Sequence, residues 1–245
     1  LEKYFPNSNY FNKFIDFNKY IKSQKKIIDY ITICSPNFLH YKHIRFSLSN
    51  KINVICEKPL VLNLKDLKSL EKISIKQNRR IFCILQLRLY EKLINLKKLI
   101  SKNGNKKYDV EFTYITSRGK WYFNTWKGDE AKSGGIMSNI GIHFFDLFLW
   151  IFGPVERSEL HVKRKDVCSG FLKLKSANIS WFLSTDSKFI KYAHSKSNRV
   201  YRCMNVDGKN INLDLNFEDL HNKSYKKILN NQGFTIKDVK PSIEL

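Results

Sequence analysis

Two groups of side chains in this 245-residue chain have types and spacings suited to moving protons and holding a polar ring. Glu57-Lys58-Pro59 directly follows a short apolar run, so a carboxylate and an amine leave a strand end together. Asn139, His143 and Asp146 are four and three residues apart, the spacing that shares one face of an α-helix. On that face Asp146 would orient the His143 imidazole. Between these groups Trp121, Tyr122 and Trp126 interleave with Arg118 and Lys127, a wall that could stack a ring and pair an anion. Each feature also has a plainer reading. A lone strand-end lysine is most often a surface charge, a histidine on an apolar helix a core residue, Asp146 a packing or capping group, and the aromatics part of a core.

The elements that must position these residues divide into two patterns. Apolar runs at Ile28–Cys34, Asn53–Cys56 and Ile81–Leu87 alternate with helical spacing over about 38–49, 64–77 and up to 102, which predicts βαβ units and a parallel sheet. Ligands of such sheets bind outside the carboxyl ends of the strands. That rule selects Ser35-Pro36-Asn37, Glu57-Lys58-Pro59, and Gln86 with Arg88. After a boundary near 103–107 come a strand at Tyr108–Ser117 and an interrupted apolar helix at 134–152 ending at Gly153-Pro154. Strand candidates then follow at 156–164, 170–175, 178–184, 199–206 and 210–216, and a polar helix at 219–232. Strands in succession after one helix predict an α+β domain with a mostly antiparallel sheet.

Composition excludes several classes. With 42% apolar and 14% aromatic residues the chain buries a core and is not disordered. The net charge of +22 invites a nucleic-acid reading, but the excess is spread along the chain, carried by lysine far more than arginine, and forms no basic arm. A solvated lysine-rich surface is the preferred reading, with no specific nucleic-acid partner expected. Five dispersed cysteines without metal-ligand spacing point to free thiols in a reducing, cytoplasmic compartment, and no metal is expected. No run of roughly 18 apolar residues and no secretory-signal pattern is read, so no membrane association is expected.

The order Ile33-Cys34-Ser35-Pro36-Asn37, His40, Cys56-Glu57-Lys58-Pro59-Leu60 and Gly141-Ile142-His143-Phe144-Phe145-Asp146 resembles the Gfo/Idh/MocA family of NAD(P)-dependent sugar oxidoreductases. Ser117-Arg118-Gly119-Lys120-Trp121-Tyr122, Trp126-Lys127-Gly128-Asp129-Glu130, Ser133-Gly134-Gly135-Ile136 and Asp219-Leu220-His221 are similar to its branch that oxidises UDP-N-acetylglucosaminuronic acid at C3. The resemblance implies an NAD-dependent dehydrogenase making a 3-keto sugar for surface-polysaccharide (O-antigen) synthesis, and a homo-oligomer formed through the second-domain sheet. It assigns Lys58 and His143 to catalysis, and Ser35, Pro36, Asn37, His40, Glu57, Lys58 and Gln86 to the cofactor. Arg88, Arg118, Trp121, Tyr122, Trp126, Lys127, Asn139 and His143 would meet the substrate. Alternatives are a family dehydrogenase of another sugar or inositol, and an inactive remnant binding a ligand or polyanion.

The sequence departs from the family pattern at its start. No glycine precedes Gly104, so residues 1–103 hold no G-x-G-x-x-G turn for a pyrophosphate. The expectation is an incomplete Rossmann-type domain at 1–106, lacking its first strand and glycine loop, followed by the α+β domain at 107–245. Leu1 in place of Met suggests a missing N-terminal piece, and weak or absent NAD binding by the chain as it stands. Tyr90-Glu91, Phe123 and Asn222-Lys223 also replace residues expected in the UDP-sugar branch.

Overall fold

The computed structural model describes residues 3–24, 27–104, 106–192, 199–213 and 217–245. Helix α1 (Phe14–Gln24) leads into β1 (Tyr30–Ile33), α2 (His40–Ser49), β2 (Asn53–Cys56), α3 (Leu64–Gln77) and β3 (Ile81–Cys83). The β-branched and apolar strands pair in parallel, Ile33 opposite Cys56 and Cys56 opposite Cys83, while α2 and α3 make the crossovers. Asn63 caps α3 by accepting from the Asp66 amide, and Asn78 ends it in the left-handed region at φ 49°. Ile44, Leu48, Val54, Leu67 and Leu70 fill the core between these helices and the sheet.

Helix α4 (Glu91–Lys102) carries the chain to β4 (Tyr108–Thr116). Short helices α5 (Lys120–Phe123) and α6 (Glu130–Ser133) precede a π-helical turn at Met137–Gly141, which runs into α7 (Ile142–Phe152). Strands β5 (Val155–Lys163), β6 (Val167–Leu174) and β7 (Ala177–Ser184), helix α8 (Lys188–Tyr192), and β8 (Val200–Val206) and β9 (Lys209–Asn210) follow. They build a six-stranded sheet in the order β5-β6-β7-β4-β8-β9, antiparallel except for the β4–β7 pair. One face receives α7, with Phe112 at 4.4 Å from Phe144 and 5.1 Å from Phe148 between ring centroids. Gly141 permits this approach, since a Cβ there would lie 2.7 Å from a Leu183 methyl and 2.8 Å from the Phe145 ring.

The two expected sheets are therefore present, and the differences lie in extents and in the last segment. The strand expected over Ile81–Leu87 stops at Cys83, because residues 86–89 turn into a 3-10 helix whose side chains are all buried. Part of the strand candidate at 210–216 lies outside the described residues; the described part pairs as β9 through residue 210 only. The near-continuous helical stretch Glu130–Phe152 does have the length and apolar composition of a membrane span, unlike the sequence reading. Of its apolar window 67% is buried inside the protein, chiefly against the second sheet.

After α9 (Phe217–Leu229) the chain returns to the first sheet, as the division at residue 106 does not anticipate. Strand β10 (Phe234–Thr235) pairs antiparallel with β3, and α10 (Ile236–Glu244) buries Ile236 and Val239 in the first core. A capping box between Thr235 and Asp238 starts α10 in spite of Pro241 in its interior.

Candidate functional site

The carboxyl ends of β1–β3 face the π-helical turn and the start of α7. Lys58 leaves the end of β2 through a cis Lys58–Pro59 peptide bond, and its Nζ donates a 2.7 Å hydrogen bond to the Asn139 carbonyl. A π turn takes a residue out of the regular i→i−4 ladder and recurs at functional sites. Here it directs the carbonyl of Asn139 toward the amine. Burial lowers the Lys58 ammonium to about 8, with Glu57 opposing and Lys127 and Arg118 adding to the fall.

His143 stands on the first turn of α7. Burial, with the charges of Lys58 and Arg202 adding to it, holds its imidazole well below the ordinary histidine value, so it is neutral near pH 7. No hydrogen-bond partner orients the ring among the described residues. Asp146 does not, contrary to the helical-face expectation, because its carboxylate is bound bidentate by Arg88. Arg88 Nε lies 2.9 Å from Oδ2 and Nη2 2.7 Å from Oδ1, while Nη1 meets Asp238 of α10 at 3.3 Å. Arg88 is 7% exposed and four of its five N–H donors are taken by Asp146 and Asp238, so the expected substrate role does not fit it. The guanidinium is instead a joint between the end of β3, α7 and α10.

Further expected site residues are also turned inward. His40 is 1% exposed, and its ring nitrogens meet the carbonyls of Pro59 (2.7 Å) and Ser35 (2.8 Å), which fixes two loops together. Asn37 is buried and donates through Nδ2 to the Ser133 carbonyl at 2.9 Å and to Asn139 Oδ1 at 3.4 Å. Tyr122, expected in the aromatic wall, is buried, and its hydroxyl accepts from Asn139 Nδ2 at 2.9 Å. Asn139 thus spends its side chain on Asn37 and Tyr122, and not on the helix face it was expected to share with His143.

Apart from the buried Gln86, the remaining expected residues keep some exposure. Ser35, Pro36 and Glu57 are half-buried at the strand ends. Gln86 is buried at the start of the 3-10 helix that follows β3, and its Oε1 has no hydrogen-bond partner among the described residues. Trp121 is 51% exposed, Trp126 is half-buried, and Lys127 Nζ lies 5.2 and 5.8 Å from their ring centroids. Arg118 is exposed just beyond β4 of the second sheet. Two residues without an assigned role in the sequence reading join them. His221 Nε2 of α9 lies 3.5 Å from Glu57 Oε1, and Arg202, opposite Tyr114 in the β4–β8 ladder, adds positive potential at His143. His221 belonged to a motif noted above, whereas no local signal marks Arg202. The arrangement can accept a proton at an uncharged amine, hold a hydroxyl against a neutral imidazole, and receive an anion on the cationic aromatic side.

Comparison with known proteins agrees with this layout. A profile of the oxidoreductase family described as its NAD-binding Rossmann fold matches residues 2–84, and one described as its C-terminal alpha/beta domain matches residues 97–231. The structure of the WlbA (WbpB) dehydrogenase from Thermus thermophilus, solved with NAD and UDP-GlcNAcA, superposes with a TM-score of 0.93. It is 38% identical, over 99% of this chain and 80% of that one. The WlbA dehydrogenase from Bordetella pertussis, solved with NADH and UDP-GlcNAcA, shares the fold at a TM-score of 0.76 and 18% identity, over 92% of this chain and 76% of that one. Glucose-6-phosphate 3-dehydrogenase of Bacillus subtilis (strain 168) is 28% identical over 127 residues, 50% of this chain and 36% of that protein's length.

Proposed function

The chain belongs to the Gfo/Idh/MocA oxidoreductase family, and we propose that within it the protein oxidises the C3 hydroxyl of UDP-N-acetylglucosaminuronic acid with NAD. The observation that carries this reading is the Lys58 amine, lowered to about 8 and seated 2.7 Å from the Asn139 carbonyl beside a neutral His143. Oxidising a carbinol needs a group that removes the hydroxyl proton while hydride departs from the same carbon. Lys58 takes that proton at Nζ, and at neutral pH its lowered value keeps a useful fraction uncharged. His143 accepts or donates a hydrogen bond at the reacting oxygen without carrying charge. When bound, NAD supplies the hydride acceptor.

The residues present fit the nicotinamide–ribose end of that cofactor. The unpartnered, buried Gln86 Oε1 is an acceptor that a carboxamide N–H would satisfy. Glu57 offers a carboxylate for ribose hydroxyls, with Ser35 and Pro36 lining the adjacent loop. Arg118 and Lys127 suit the diphosphate or the uronate carboxylate, and Trp121 and Trp126 suit a stacked ring. Such a product, a 3-keto sugar nucleotide, is a substrate for an aminotransferase in cytoplasmic synthesis of surface polysaccharide. The face of the second sheet opposite α7 would serve as a contact between copies of the chain.

The test is to incubate the full-length natural protein with NAD and UDP-N-acetylglucosaminuronic acid and follow NADH formation. Turnover is expected with the uronate and strongly reduced with UDP-N-acetylglucosamine, which lacks the carboxylate. Turnover on a different sugar or an inositol, with none on the uronate, would overturn the substrate assignment.

A further inference from the structure

We propose that Asn37, Asn139 and Tyr122 form a clamp across the two sheets that positions the Lys58 amine, making Asn37 and Tyr122 positioning residues for proton transfer. The inference rests on Lys58 being the proton acceptor described above. Lysine has four rotatable side-chain bonds and no intrinsic reason to hold one place, so what fixes its amine is its acceptor. That acceptor is a peptide carbonyl in the π turn, at Asn139. A peptide group can be held only through its neighbours, and the Asn139 side chain is tied on both sides. Its Oδ1 accepts from Asn37 Nδ2 at 3.4 Å and its Nδ2 donates to Tyr122 Oη at 2.9 Å.

Asn37 reaches this point from the loop after β1, and Tyr122 from α5 beyond β4, so the two holders belong to opposite halves of the molecule. The same Asn37 amide also donates to the Ser133 carbonyl at the end of α6 at 2.9 Å. One side chain thereby restrains both ends of the link from Ser133 to Asn139. Asn37 is 5% and Tyr122 3% exposed, which removes both from the surface that a substrate could touch. Both buried side chains meet the Asn139 amide, one donating to it and the other accepting from it, so their polar groups are engaged by the scaffold.

The electrical setting of Lys58 shows what the clamp would control. Glu57 and Cys83 face the amine from the first sheet and Lys127 and Arg118 from the second, while His143 and His40 each feel its charge. Burial is the largest influence on it, greater than any of these neighbours. A loosened Asn139 would let the amine reach water, relieve that burial and return the lysine toward its ordinary value of 10.5.

The test uses the chain without cofactor or substrate. Competitive labelling with acetic anhydride over a pH series, read on the Lys58 peptide by mass spectrometry, gives the midpoint at which the amine becomes reactive. Wild type is expected near 8, and Tyr122→Phe and Asn37→Ala each raise the midpoint by about one unit. With NAD and substrate, kcat at pH 7.5 then falls about tenfold while KM holds, and the loss is recovered above pH 10. An unchanged or lowered midpoint in either folded variant overturns the clamp. Because the labelling needs no substrate, a wrong sugar assignment would leave its result intact.

Discussion

Arg88 and Asp146 meet side-on in the interior, the guanidinium Nε and Nη2 each taking one carboxylate oxygen at 2.9 and 2.7 Å. Both side chains are almost fully buried, at 7% and 4% exposure, and Asp238 completes the set from α10. Burial pushes the Asp146 carboxyl up, with the Asp238 charge adding to the rise, and the Arg88 hydrogen bonds and charge oppose it. The motif residue expected to orient a catalytic imidazole therefore joins three elements of the scaffold.

Removing one partner of this pair should be costly. Asp146→Ala leaves a buried guanidinium without its carboxylate, and a loss of about 3–5 kcal/mol is expected in urea unfolding. Replacing both, as Arg88→Met with Asp146→Leu, should recover much of it. A single variant within about 1 kcal/mol of wild type would show that the pair is not structural.

Lys58→Met should separate activity from stability. The folded protein depresses the lysine from 10.5 to about 8, so the unfolded chain binds the proton more tightly. The resulting destabilisation is fully present below pH 8 and fades as pH rises through 8 to 10.5. The variant should lose turnover yet gain about 1–2 kcal/mol at pH 7, allowing for partial exposure of the side chain. Equal stabilities at pH 7 and pH 10.5 would contradict the depressed lysine.

With Lys58 in its proposed role of proton acceptor, the pH profile of kcat should rise through a single limb with a midpoint near 8 and level off above it. His143 stays neutral across this range and adds no limb of its own. A limb near pH 6 that disappears in His143→Gln would refute the neutral imidazole.

Substitutions on the exposed cationic side should act on affinity. Lys127→Gln and Arg118→Gln are each expected to raise KM for the uronate about tenfold, with thermal midpoints unchanged. Raising the salt concentration should weaken wild-type KM in the same direction. A fall in kcat at constant KM would place these residues elsewhere in the reaction.

The sequence made some of this plain. A four-residue apolar strand followed by Glu57-Lys58-Pro59 places Lys58 at a strand end whatever its neighbours are. Leucines and isoleucines at helical spacing behind Asn63 mark α3 to its observed ends. Side-chain destinations were not legible. The α-helical spacing from Asn139 to His143 fails because residues 137–141 form a π turn, and periodicity carries no sign of one extra residue in a turn. Arg88, His40, Asn37 and Tyr122 have the polarity of ligand contacts and the burial of scaffold, and only their distant partners distinguish the two. The return of β10 and α10 was hidden for a similar reason: two residues make the strand, and Pro241 argues against the helix.

That return has a mechanical meaning. The chain passes from the first sheet to the second after Lys102 and comes back after Asn210, so the halves are joined by two covalent links. A single link would leave a swivel free to twist. Two links favour bending about the line between them, and the bond from Lys58 to the Asn139 carbonyl also spans the two halves. A bend that parts the two halves would stretch that bond, so the Lys58 amine is itself a tie between them.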